Sequence, residues 1–338
     1  MGVKLPGILP TKSIEWEDIK GKKIGVDFSN ACYQFLASIR QADGTPLMDS
    51  KGNITSHLQG LFTRTLNLMN KGIKLCYVFD GKMPSLKTKE TQAREERKRL
   101  AEEKLEKATK KEDIELMSRY AKQTSRLTKE MVQEAKELVS ALGLPVIQAP
   151  AEADAQGSFM TKKGDLFAFA TSDADTLLHG CPRTISNLTL SQTRKLPNGQ
   201  FVYIKPQLIE LEDVLKHLKI NQDQLIVMGI LAGTDYNPKG IPGIGPKKAL
   251  NLVQQYKNFD KLFSEVKPDF NWKQIFAIFK SMPIMENYQL KFDNINEQKI
   301  KNLLIKKHEF SEERVNSLLE KHFSEKKQKQ QFNLKKWV

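Results

Sequence analysis

Apolar positions along the chain switch between two spacings. Lys23-Ile24-Gly25-Val26 is a short run that reads as a strand and ends in Asp27. Ala31, Cys32, Phe35, Leu36 and Ile39 then recur at helical spacing. So do Ile54, Leu58, Leu61, Phe62, Leu66 and Met69, a second amphipathic helix that Gly72 stops. Leu75-Cys76-Tyr77-Val78-Phe79 predicts another strand, closed by Asp80 and Gly81. Leu127, Met131, Val132, Ala135, Leu138, Val139 and Leu142 predict a helix up to Gly143, with a strand over Leu144-Pro145-Val146-Ile147. Leu166-Phe167-Ala168-Phe169-Ala170 is short enough for a buried strand, and Asp173 and Asp175 follow it. Strand, acid and helix thus alternate, which predicts an α/β fold with a mostly parallel central sheet flanked by helices. In such sheets the site lies beyond the carboxyl ends of the strands. Asp27, Asp80, Asp173 and Asp175 all fall there.

Elsewhere the pattern changes. From Lys82 to Ser125 Lys, Arg and Glu dominate, and the segment reads as solvated helices outside the core. It is either an exposed charged hairpin without a role or a mobile basic arch over the site. Lys87 and Arg94 are seven residues apart, so one helix would place both on one face. Asn198-Gly199 predicts a hairpin turn between Leu196 and Val202. The apolar segment Leu225–Leu231 leads to Asp235. Gly243-Ile244-Gly245-Pro246-Lys247-Lys248 then offers free backbone N–H groups and two cations ahead of a helix, a pattern suited to phosphate. The remainder to Phe323 reads as a helical smaller lobe, and Ser324–Gln330 as a polar, basic linker. The implied regions are 1–81, 82–126, 127–236, 237–323 and 324–338.

Composition narrows the class. The 338 residues are 39% hydrophobic, enough for a globular core. Lys and Arg outnumber Asp and Glu by 54 to 40, a net charge of +14. Charge alone fits a solvated surface as well as a polyanionic partner. Cys32, Cys76 and Cys181 match no metal spacing and read as intracellular free thiols, and no histidine pairs with them for zinc. No run reaches membrane-spanning length, the start has no secretory character, and Pro6 argues against myristoylation of Gly2.

The chemistry lies in the acids. Glu152 and Asp154 precede the strand over 166–170, and Asp173 and Asp175 follow it. Carboxylates packed that closely repel one another and stay ionised only around a cation. An all-oxygen cluster reads first as a magnesium site. On a regular helix, Glu152 and Asp154 would point to different sides. They converge only if the first turn begins near Pro150.

Together these stretches resemble the flap endonucleases, structure-specific 5′ nucleases of DNA replication and repair. The likeness spans nearly the whole chain, through Val26-Asp27, Tyr33-Gln34-Phe35-Leu36, Thr55-Ser56-His57-Leu58, Tyr77-Val78-Phe79-Asp80-Gly81-Lys82, Glu152-Ala153-Asp154-Ala155-Gln156, Thr171-Ser172-Asp173-Ala174-Asp175 and Gly243-Ile244-Gly245-Pro246-Lys247. The resemblance implies a charged helical arch, a helix–hairpin–helix-type DNA-binding lobe and a metal cluster of Asp27, Asp80, Glu152, Asp154, Asp173, Asp175 and Asp235. The family usually has Glu where Asp154 stands. Two Mg²⁺ ions about 4 Å apart, with Mn²⁺ as an alternative, would clamp the scissile phosphate. Lys87 and Arg94 would face that phosphate, Tyr33 would stack on the terminal base, and Gly2 would lie near the DNA. Gly243, Gly245, Lys247 and Lys248 would hold the duplex backbone. The implied substrate is branched DNA with a 5′ flap, with 5′–3′ exonuclease activity left open.

Aspartyl-phosphate phosphatases, small PIN-type ribonucleases and a non-catalytic junction scaffold are the rival classes. The first places its acid pair after the first strand, the second lacks the arch and second lobe, and a scaffold has no use for seven repelling carboxylates. At the C-terminus Gln331, Leu334 and Trp337 recur every three residues, so a 3₁₀-like turn would stack them. With Val338 in place of a second aromatic, this resembles the sliding-clamp-binding box of replication enzymes. Its position at the extreme terminus looks archaeal. The expectation is a monomer, cytoplasmic if archaeal and nuclear if eukaryotic.

Overall fold

The computed structural model describes residues 3, 7–41, 43–82, 84–87, 95–104, 124, 126–190, 193–195 and 199–335, giving backbone alone for 85, 194–195 and 326–335. Nine strands are described: β1 Lys12–Ser13, β2 Lys23–Asp27, β3 Lys74–Phe79, β4 Val146–Gln148, β5 Ala168–Ala170, β6 Arg183–Ser186, β7 Thr193–Lys195, β8 Phe201–Tyr203 and β9 Gln207–Glu210. Seven of them form one sheet in the order β1-β9-β6-β5-β2-β3-β4. From β6 to β4 every pairing is parallel, and β9 and β1 add an antiparallel edge. The chain runs from β2 outward through β3 and β4, then returns to the other side of β2 as β5. The order therefore reverses between β2 and β5, where open α/β sheets form their crevice.

Helices cover both faces because crossovers between parallel strands must pass over them. Phe28–Ser38, Ser56–Asn70 and Lys129–Ala141 bury Phe35, Leu61, Leu66 and Leu138 against one face. On the other, Ala153–Lys162 packs Met160 against Cys76, Val78 and Phe169. The apolar segment 225–231 is a helix, Gln222–Ala232, buried on all sides. It centres a second core with the helices Pro246–Gln255, Phe259–Val266 and Trp272–Ser281. The later helices pack differently from the expected smaller lobe, since Ile300, Leu304, Val315 and Leu319 join the sheet's core.

Two strands start later than their apolar runs. Leu166 N bonds Met160 O at 3.2 Å, closing the preceding helix, so β5 begins at Ala168. Pro145 has no N–H for a ladder, and β4 begins at Val146. The hairpin is present as β7 against β8, with Thr193 opposite Tyr203; residues 196–198 lie outside the described residues. The linker expected at 324–330 is corrected: the last helix runs from Glu312 to Lys335. Lys, Glu and Gln are good helix formers, so a polar tract extends the helix it follows. Among the described residues no helix is long and apolar enough to cross a membrane.

Candidate active site

Strand ends bring the acids together. Asp27 closes β2 and caps the next helix, its Oδ1 accepting from Asn30 N at 3.0 Å. Asp80 follows β3; its Oδ2 accepts from Ser29 Oγ at 2.6 Å and its Oδ1 from Ala153 N at 2.9 Å. One carboxylate thus fixes two helix starts. Gly81 permits the approach: its N–H donates to Ala151 O at 2.6 Å, and a Cβ there would stand 2.1 Å from Ala149 O. Glu152 is the extended residue just before the helix Ala153–Lys162, at φ −86° and ψ 141°, and Asp154 lies in its first turn. The spacing rule for a regular helix therefore does not separate them.

Past β5, Asp173 Oδ1 accepts from Asp175 N at 3.1 Å, and Asp175 Oδ1 accepts from Val3 N at 2.6 Å. Asp235 is set by a tight turn. Thr234 Oγ1 donates to Asn237 Oδ1 at 2.7 Å, Asn237 Nδ2 donates to Ile230 O at 2.7 Å, and Gly233 takes φ +107°. A side chain at that φ would be strained, so glycine is required.

The cluster is electrostatically loaded. All seven acids feel at least one other: Asp27 feels Asp80 and Asp173, Asp154 feels Asp27, Asp173, Asp175 and Glu152, and Asp175 feels Asp173 and Asp235. Two unit charges about 5 Å apart repel by roughly 3 kcal/mol at an effective dielectric of about 20. Burial first, then the charge of Asp80, pushes Asp27 up to about 8. Burial and neighbouring acids likewise raise Asp154 and Asp175 well above the ordinary carboxylate range. Asp154 Oδ1 is buried and has no hydrogen-bond partner. A buried acceptor of that kind needs a cation or donor beside it. The donor set, all hard oxygen, fits Mg²⁺.

Among the described residues no three acids, histidines or cysteines stand at the spacing of a closed ion cage. Among the described residues, Lys87 is the cation paired with these acids. Its Nζ lies 2.6 Å from Glu152 Oε1 and 3.1 Å from Asp235 Oδ2, with 14% of the side chain exposed. Burial alone would lower the lysine's pKa; the charges of Glu152 and Asp235 reverse this and leave it raised. Tyr236, which the sequence reading passed over, packs its ring 6.0 Å from Lys87 Nζ. Burial first, then the charge of Glu152, raises its hydroxyl well above the ordinary tyrosine range. Adjacency to Asp235 was the one available signal.

The other expected contacts lie around this cluster. Tyr33 is 41% exposed on the helix after Asp27, with Lys98 Nζ 5.5 Å from its ring. Gly243, Gly245, Lys247 and Lys248 are exposed at the start of the helix Pro246–Gln255, anchored by buried Ile241 and Ile244. The backbone of Gln331 and Leu334 falls in the last α-helix rather than in the expected 3₁₀-like turn. Gly2, Arg94, Trp337 and Val338 lie outside the described residues.

The raised acids carry a pH consequence. A carboxyl raised by folding holds a proton that the unfolded chain has lost. Its stabilising effect is complete below the ordinary 3.8 and is lost as pH climbs through about 8 for Asp27. His57, pushed down by burial to about 4, and His179, to about 3, act in the opposite direction. Their gain is complete just above an ordinary histidine's value of about 6.5. In chelator the melting temperature is therefore expected to fall between about pH 7.5 and 8.5. Asp27→Asn should flatten that fall, and Mg²⁺ should offset it. Calorimetry that shows a level or rising melting temperature over this window would contradict it.

The fold and these acid-bearing strand ends place the chain in a class of α/β nucleases: residues 1–101 match the XPG N-terminal domain and residues 143–235 the XPG I-region. Among full-length relatives, it is 47% identical over 338 residues to Flap endonuclease 1 of Pyrococcus abyssi, covering 100% of this chain and 98% of that one. Flap endonuclease 1 of Pyrococcus furiosus is also 47% identical, with 100% and 99% covered. Flap endonuclease-1 from Methanococcus jannaschii superposes with a TM-score of 0.77 at 40% identity, over 97% of this chain and 100% of that one. The chain belongs to the flap endonuclease family.

Proposed function

We infer that this protein is a structure-specific 5′ nuclease that hydrolyses DNA phosphodiesters at flap junctions. The observation that carries the reading is the set of seven mutually interacting acids at the sheet's switch point, two of which, Glu152 and Asp235, pair with Lys87. Asp27, Asp80, Glu152, Asp154, Asp173, Asp175 and Asp235 would hold two Mg²⁺ ions, with Mn²⁺ as an alternative. Bound there, the ions would supply an activated water and polarise the scissile phosphate. Lys87 offers its ammonium to charge developing on that phosphate, and Arg94 would do the same from the arch. Tyr33 presents a ring face for the terminal base, and Gly2 would lie close by. The exposed N–H groups at Gly243 and Gly245, with Lys247 and Lys248, would grip the duplex backbone away from the cut. Specificity would come from the bend and the free 5′ end rather than from base edges.

The test is cleavage of a labelled double-flap DNA, mapped to the nucleotide, with Mg²⁺ and with chelator. A single Mg²⁺-dependent cut at the junction is expected. Turnover of a phosphomonoester or single-stranded RNA instead would favour the phosphatase or PIN-type class. The protein would act as a monomer, in the cytoplasm.

The tail would dock a sliding clamp through Gln331, Leu334, Trp337 and Val338, with an aromatic anchor as in many such contacts. Deleting 331–338 is expected to leave basal flap cleavage unchanged and to remove stimulation by the cognate clamp. Equal affinity of full-length and truncated protein for the clamp, by calorimetry, would mean that docking lies elsewhere.

A further inference from the structure

Lys87 is placed where it can serve either of two partners but not both at once. It ends a short 3₁₀ turn, Ser85–Lys87, whose chain is stitched to the acid-bearing segment. Gly81 N bonds Ala151 O at 2.6 Å, and Lys82 N bonds Pro150 O at 3.1 Å. From that base the side chain reaches inward to Glu152 and Asp235 at 2.6 and 3.1 Å. An ammonium at those distances fills the position from which any cation would engage these two oxygens. Mg²⁺ binds carboxylate oxygen at about 2.0–2.1 Å, so an ion held between Glu152 Oε1 and Asp235 Oδ2 would stand in the ammonium's place. A divalent ion about 4 Å from the ammonium would repel it by roughly 8 kcal/mol at an effective dielectric of about 20. That repulsion favours departure of the ammonium from an ion-loaded pair.

We propose that Lys87 is a displaceable internal counter-ion: a divalent ion entering between Glu152 and Asp235 evicts its ammonium, so ion loading and delivery of Lys87 to the phosphate are one event. Lysine suits this exchange because its ammonium is a compact point charge on a flexible stem, whereas an arginine fork would bind two carboxylates more rigidly. Without an ion, the lysine would bridge Glu152 and Asp235. With an ion bound, the same side chain, still tethered beside the cluster, is free to meet an incoming phosphate. The inference rests on the nuclease reading above and adds an order of events to it. The opposite possibility is a structural ion pair that persists when ions bind.

The test uses the full-length protein without DNA and Ca²⁺ as the probe, since Ca²⁺ takes the same oxygen ligands. Calorimetry compares the wild type, Lys87→Met and Lys87→Arg, and amine acetylation read by mass spectrometry follows Lys87 in the wild type. Lys87→Met is expected to bind its weakest Ca²⁺ at least about tenfold more tightly, a difference of about 1.4 kcal/mol, and Lys87→Arg to show no such gain. Acetylation of Lys87 in the wild type should rise severalfold on adding Ca²⁺, while that of exposed Lys12 stays constant. Wild-type labelling remains informative if the methionine variant fails to fold. Ion binding of unchanged affinity in Lys87→Met, or labelling that Ca²⁺ leaves unchanged, overturns the exchange and spares the nuclease reading. If neither protein binds Ca²⁺ or Mg²⁺, the metal-dependent reading falls and the exchange with it.

Discussion

Asp175→Asn is expected to slow cleavage about a thousandfold and to leave binding of flap DNA intact or tighter. The amide keeps an oxygen for Val3 N, which donates to Asp175 Oδ1 at 2.6 Å, so local packing survives. What disappears is one negative charge in a cluster proposed to hold two ions. Weakening a Lewis-acid contact by about 4 kcal/mol corresponds to about three decades in rate. Binding should not suffer, because the DNA then approaches one repelling charge fewer. Single-turnover cleavage of a double-flap substrate in Mg²⁺, beside anisotropy binding, measures both. Near-normal cleavage would remove Asp175 from the ion-binding set.

Lys87→Ala should reduce the single-turnover rate at saturating Mg²⁺ by roughly a hundred- to a thousandfold, with only a few-fold change in DNA affinity. The lysine would act on charge that appears in the transition state, not on the ground-state duplex. Released from Glu152 and Asp235 by a bound ion, its ammonium would still be tethered beside the cluster, within reach of that charge. A loss that appears in binding while the bound-state rate holds would reduce Lys87 to a backbone contact. Together with the ion exchange proposed above, this variant should bind ions more tightly yet cut more slowly. A merely structural lysine would not separate those two readouts.

Strand ends were the most legible part of the chain. Asp27 and Asp80 each follow a run of apolar residues that forms a buried strand, and period and punctuation sufficed to place both. Strand starts were less legible because long-range hydrogen bonds decide them. Leu166 is apolar enough for β5 but spends its N–H on Met160 O. The antiparallel edge was unreadable, since β1 is two exposed residues whose only reason to be extended is β9. The last helix was misread because polarity was taken for disorder, whereas lysine and glutamine favour helix. At the site, acids could be found one by one, but their partners could not. That Lys87 turns inward to Glu152 depends on contacts between residues 65 apart, which no local pattern encodes.

The hydrogen bond from Val3 N to Asp175 has a practical consequence for anyone who produces this protein. Val3 is buried, with its side chain close to Gly229 and Leu178. The third residue of the chain is thus fixed against one of the seven acids. A purification tag or leader fused ahead of it must therefore leave from the edge of the acid cluster. Such an extension would place foreign charge where the terminal part of the DNA is proposed to lie. Preparations with different N-terminal remnants should then differ in turnover while melting alike, and comparison of specific activities between laboratories requires that the first residues be stated.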